Sequence, residues 1–171
     1  MKTSLLSALI LLFGLSSCSS MPDDIEPVNG FEIERYLGKW FEIARLDHGF
    51  ERGLTQVTAV YSWRDDGGIK VINRGYNEEK KVWNEAIGRA YFVQTPNIGQ
   101  LKVSFFGPFY GGYNIIELDK EHYQYALISG PSKNYLWILA RSPQIEQGIV
   151  KKLVGHAKEL GFPTEDLIFL Y

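Results

Sequence analysis

From Gly38 to Arg141, apolar and polar residues alternate with a period near two, in short runs broken by Gly, Pro, Asn and Asp. This is the pattern of β-strands that bury one face. The run Gly38-Lys39-Trp40-Phe41-Glu42-Ile43-Ala44-Arg45 sets the frame. Strict alternation puts Trp40, Glu42 and Ala44 on one face and Phe41, Ile43 and Arg45 on the other. Gly38 allows a sharp turn just before the indole. Thr55 to Trp63 carries Val57, Ala59, Tyr61 and Trp63 on one face, and Asp65-Asp66-Gly67-Gly68 is a hairpin turn. Ile69 to Tyr76 follows, then a polar turn from Asn77 to Lys81. Val82 to Thr95 reads as a long strand bent at Gly88. Gln100 to Phe106, Tyr113 to Leu118, Tyr123 to Ser129 and Tyr135 to Arg141 complete eight strands, joined mostly by short turns.

The flanks differ in period. Phe31, Ile33, Tyr36 and Leu37 are spaced for one or two helical turns, predicting a short cap over a barrel mouth. Beyond Arg141, Ser142 is a suitable N-cap and Pro143 fits a first helical turn. Ile145, Ile149, Val150, Leu153, Val154 and Ala157 then form an apolar helical stripe that ends at Gly161. Leu167 to Tyr171 is a short apolar strand. The pattern predicts an all-β fold: an eight-stranded antiparallel up-and-down β-barrel with one C-terminal α-helix packed outside. Closure removes exposed edges, and eight strands leave room for side chains or one small ligand.

Composition narrows the setting. The 171 residues are 45% apolar, with a formal net charge of -2 and no basic run. That suffices for one well-packed domain, and nucleic acid is not an expected partner. Lys2 and the apolar run from Leu5 to Leu15 read as an export signal, too short to span a bilayer. Leu15-Ser16-Ser17-Cys18 follows and resembles the lipobox of bacterial lipoproteins. The resemblance implies cleavage before Cys18 and acylation of that residue, which multiple chains would anchor firmly. The alternative is an ordinary signal peptide with an incidental cysteine. Ser19 rather than Asp after Cys18 points to the outer membrane of a Gram-negative bacterium. The predicted division is a signal peptide over 1–17, a lipidated Cys18 and tether over 18–30, and a domain over 31–171. The stretch from Ser19 to Asn29 would reach roughly 35 Å if extended. Cys18 is the sole cysteine, so an intrachain disulfide is excluded.

Three features occur in order. Gly38-x-Trp40 with its neighbours is similar to the first lipocalin motif, Leu118-Asp119 through Tyr123 to the second, and Arg141 after the apolar run Leu136 to Ala140 to the third. Leu118 stands where the second motif carries Thr, and the gap from Asp119 to Tyr123 is longer than usual. With the lipobox, the chain resembles the bacterial outer-membrane lipocalins and, more distantly, apolipoprotein D. The resemblance implies that Trp40 closes the barrel floor with Arg141 packed across it, a structural pair.

Alternation checked against the family gives Tyr61, Asn73, Leu101, Phe105, Tyr113, Trp137 and Leu139 as ligand-binding residues. For each of them, ordinary barrel core is the competing reading. The set is mostly apolar and suits a fatty acid or lysophospholipid. The implied role is lipid storage or transport in outer-membrane maintenance. Parity also aims Glu117 inward, where a lone carboxylate is costly. Either it pairs with an Arg, Arg141 being the candidate, or a bulge turns it outward.

The histidines His48, His122 and His156 lie in a loop, a turn and the outer helix, without metal-ligand spacing, and read as solvated. There is no Gly-x-Ser-x-Gly elbow and no phosphate loop, so neither cofactor nor catalytic residue is assigned. A lipocalin-shaped enzyme acting on a lipid or isoprenoid, and an envelope protein with a filled barrel, are the rival readings. Apolar residues near Phe109 and Tyr110 and at the C-terminal strand leave a homodimer open.

Overall fold

The alternating runs fold as β1 (Gly38–Arg45), β2 (Leu54–Trp63), β3 (Ile69–Asn77), β4 (Val82–Phe92), β5 (Gln100–Ser104), β6 (Gly111–Leu118), β7 (Tyr125–Ser129) and β8 (Leu136–Ala140). These are seen in a computed structural model that describes residues 21–171. Each strand pairs antiparallel with the next, and β1 pairs with both β2 and β8. The sheet is therefore a closed eight-stranded barrel, as the periodicity predicts. The signal segment and Cys18 lie outside the described residues.

Two apolar clusters divide the molecule. One fills the closed end of the barrel and includes Phe31, Tyr36, Trp40, Leu101, Ile115, Ile128 and Leu139. The other lies outside, under the helix α2 (Gln147–Glu159), and includes Ile43, Ala44, Ile116, Leu127, Ile138, Leu153 and Ala157. Leu153 and Ala157 lie one turn apart and are fully buried, so one face of α2 is fixed to the wall. The helix begins later than Ser142. The Ser142 Oγ accepts the N–H of Gln144 at 3.2 Å in a local turn, and Gln147 opens the helix without a side-chain cap.

Two β-bulges decide which side chains face inward. In β1, Glu42 pairs with Leu139 and Ala44 with Ile138, leaving Ile43 as the extra residue. Ile43 and Ala44 thus both face outward, and Arg45 enters the barrel beside Glu42 instead of facing away from it. In β6, Ile115 pairs with Ile128 and Glu117 with Leu127, so Ile116 is extra. Glu117 turns outward and meets Lys152 Nζ at 2.8 Å and His156 Nδ1 at 3.1 Å on α2. The bulge reading of Glu117 is correct, and the Arg141 pairing does not form.

A short β9 (Ile168–Phe169) pairs with β1 at Ala44 and Arg45, beyond Phe41 where the β1–β2 ladder stops. The segment before the barrel is not free. Ile25 is 2% exposed in the outer cluster, the Val28 N–H donates to the Ile115 carbonyl at 2.8 Å, and Asn29 bridges to Ile98. From Met21 to Asn29, the described part of the expected tether is therefore held against the wall at Met21, Ile25, Val28 and Asn29.

Candidate functional site

One end of the barrel is sealed by side chains that converge on Trp40. The helix α1 (Ile33–Tyr36) crosses this closed end, not the mouth, and buries Ile33 and Tyr36. The Trp40 Nε1 donates to the Tyr36 carbonyl at 2.8 Å. The Arg141 guanidinium lies 4.1 Å from the Trp40 ring and donates to the carbonyls of Lys39, Arg35 and Tyr123 at 2.9, 2.7 and 3.3 Å. Gly38 sits at φ +93°, and a Cβ there would lie 3.4 Å from Arg141 Nη1. The left-handed backbone favours glycine before this tryptophan, while a Cβ would make only ordinary contact with the guanidinium. The Asp119 carboxylate accepts the N–H groups of His122 and Gln124. The longer Asp119–Tyr123 turn is thus closed locally, with Tyr123 Oη accepting the Glu32 N–H at 3.0 Å.

Above the floor lies an inner chamber of about 90 Å³, adjoining an outer vestibule of about 600 Å³ with which it shares eight lining residues. Tyr61, Leu101, Tyr113 and Leu139 line the chamber, while Asn73, Phe105 and Trp137 line both spaces. The structure thus brings together all seven residues picked out by alternation. The interior is hollow rather than filled. Gly88 lies within the unbroken strand β4, paired with Val71; a Cβ there would sit 2.8 Å from the Phe105 ring and 2.9 Å from the Ser104 carbonyl. Phe106 and Phe109, 79% and 78% exposed, stand at the rim of the vestibule.

Polar groups occupy two levels. Deep in the chamber, Tyr113 Oη bonds Tyr36 Oη at 2.6 Å and Tyr61 Oη at 2.8 Å. Burial pushes all three phenols above their ordinary range, so they act as neutral hydrogen-bonding groups. Higher up, the inward turn of β1 sets Glu42 and Arg45 beside the 46–53 loop. Arg45 Nη1 donates to Glu42 Oε1 at 2.8 Å, and Nη2 donates to the carbonyls of Glu51 and Leu54 at 2.9 and 3.1 Å. Trp137 Nε1 donates to Glu51 Oε2 at 3.0 Å, and His48 Nε2 lies 3.0 Å from the same oxygen. Glu42, Arg45, His48 and Glu51 are all at most 5% exposed. Burial, reinforced by the neighbouring Glu51 and opposed by Arg45, pushes the Glu42 carboxyl up to about 8.

The sequence reading did not assign this belt. It placed Glu42 on the Trp40 face, which was a signal that the carboxyl points inward. It set Arg45 on the opposite face and read His48 as solvated. His48 is instead buried against Phe50, with ring centroids 3.9 Å apart, and against Trp137 at 5.1 Å. His122 is exposed, and His156 is half-buried against Glu117.

A β-barrel sealed below, hollow and mostly apolar inside, and opening through an aromatic vestibule defines a protein built to hold small hydrophobic molecules. A lipocalin-like domain model matches residues 31–170. The chain is 58% identical over 156 residues to outer membrane lipoprotein Blc of Vibrio cholerae, covering 91% of each. It is 49% identical to outer membrane lipoprotein Blc of Escherichia coli K12, covering 97% of this chain and 94% of that one. Rat apolipoprotein D is 30% identical over 78% of this chain and 70% of its own. The crystal structure of insecticyanin from the tobacco hornworm superposes with a TM-score of 0.71 at 21% identity, covering 89% of this chain and 86% of that one, and shows the shared fold. The chain belongs to the lipocalin family, on its bacterial outer-membrane lipoprotein branch, and is a lipid-anchored outer-membrane protein of the Gram-negative type.

Proposed function

We propose that the cavity binds a single-chain lipid, a fatty acid or a lysophospholipid, without chemistry, for storage or transport in outer-membrane maintenance. The observation that carries this reading is the hollow, mostly apolar interior lined by Tyr61, Leu101, Phe105, Tyr113, Trp137 and Leu139, with Asn73 shared between chamber and vestibule. Each methylene removed from water contributes about 0.8 kcal/mol, so an acyl chain binds well after ordering costs are subtracted. In this reading residues 1–17 are a signal peptide, Cys18 is the acylated residue that begins the mature chain, and residues 31–171 form the binding domain on the periplasmic side. The Trp40–Arg141 pair supports the floor and does not touch the ligand. No side chain is assigned a catalytic role.

Mass spectrometry of lipid that co-purifies from the native membrane tests this, together with lysophospholipid titration of the mature protein. Phe105→Ala should weaken binding by about tenfold, since most of a buried aromatic contact is lost. Unaltered affinity in both Phe105→Ala and Trp137→Ala proteins would remove this cavity as the site.

A further inference from the structure

The chamber lining holds two carboxyl groups, Glu42 and Glu51, and no lysine, arginine or histidine. Behind the wall, Arg45 is the one buried guanidinium, and its terminal nitrogens are already committed to Glu42 and to two backbone carbonyls. Glu42 Oε2 and Glu51 Oε1 have no hydrogen-bond partner among the described residues. Asn73 Oδ1 is likewise buried and unpartnered. Arg45 Nε and His48 Nδ1 are buried and unpartnered too, but neither residue lines the cavity, so the unpartnered side-chain acceptors on the chamber lining are the two carboxyl oxygens and the Asn73 amide oxygen. Around them stand the faces of Trp137 and Phe50, which themselves attract cations.

We infer that the belt formed by Glu42, Glu51, Asn73 and Trp137 is a binding site for an ammonium group, so that the preferred guest is a single-chain lipid with a cationic nitrogen in its head. This rests on the lipid-binding reading and narrows it. An ammonium donates to the free Glu51 and Asn73 oxygens, and its charge favours release of the proton that burial holds on Glu42, whose Oε2 then accepts as well. A carboxylate in the same place would meet two carboxyl groups with no base on the chamber lining, Arg74 standing only at the vestibule, so a fatty acid is the poorer guest at this level. The groups facing Glu42 are Arg45 on its own strand, Glu51 from the loop, and Tyr61 from β2. The burial that holds the Glu42 carboxyl up reflects the same shortage of positive charge.

Titration calorimetry of the mature protein with dodecylammonium, dodecanol and dodecanoate separates the possibilities. Dodecylammonium should bind about tenfold or more tightly than dodecanol, with dodecanoate weakest. Glu51→Gln, which keeps an acceptor for Trp137 and leaves the backbone bond to Arg45 intact, should bring the ammonium-to-alcohol ratio within about threefold of unity. Glu42→Gln should act in the same direction. Equal binding of dodecanoate and dodecylammonium overturns the inference, as does a Glu51→Gln protein that keeps the full preference. Dodecanol binding without an ammonium preference sinks this inference alone. Failure of all three chains and of lysophospholipid to bind sinks the lipid reading with it.

Discussion

The Glu42 carboxyl makes folding stability depend on pH in an unusual sense. Burial, with Glu51 beside it, raises this acid from its ordinary 4.5 to about 8, despite the bond from Arg45. Between those limits the folded chain holds a proton that the unfolded chain releases. Stability from this group is therefore fully present below about 4.5 and is lost as pH rises toward 8. Holding one proton is worth about 1.4 kcal/mol per pH unit, a ceiling of about 5 kcal/mol across the interval. Relaxation and water entry reduce this, and about 2–3 kcal/mol is the expected effect. Glu42→Gln keeps an acceptor for Arg45 Nη1 and removes the titration. Urea unfolding of both proteins from pH 5.5 to 8.5 gives the test. The variant should match the wild type within about 1 kcal/mol at the acid end and exceed it by about 2–3 kcal/mol at the alkaline end. Parallel stability curves, or a wild type that gains on the variant as pH rises, would refute the reasoning.

Other changes probe the frame. Arg141→Ala strips three carbonyl bonds and the guanidinium from Trp40 and should cost about 2–3 kcal/mol, measured by thermal unfolding. Gly88→Ala drives a methyl into the Phe105 ring and the Ser104 backbone and should cost about 1–3 kcal/mol, while also reducing lysophospholipid affinity. Glu117→Gln removes a half-exposed pair with Lys152 and should change urea stability by less than about 1 kcal/mol.

Much of this molecule is legible in residue order. The period-two runs, the closing pair Trp40 and Arg141, and seven cavity-lining positions follow from alternation read with the lipocalin motifs. What alternation misses traces to single extra residues. A bulge leaves no mark in an apolar run such as Phe41-Glu42-Ile43-Ala44, yet one at Ile43 reverses Arg45 and builds the acidic belt. The bulge at Ile116 does the opposite for Glu117 and delivers it to the helix. His48 is buried because the 46–53 loop is drawn inward by Arg45 Nη2, a contact between segments that no local pattern records. The helix starts late because the Ser142 hydroxyl is satisfied within its own turn. α1 lies at the closed end because its carbonyls serve Trp40 and Arg141.

The buttressing of Ile25 and Val28 sets how the barrel rides at its surface. With Met21 packed under the helix, only three peptide steps separate it from Cys18, a leash of about 10 Å at full stretch. With Cys18 acylated, as proposed, a barrel on so short a leash would stay at the head groups instead of roaming the periplasm. Cargo would then be exchanged at the bilayer face itself, and a partner on the far side of the compartment would have to come to it.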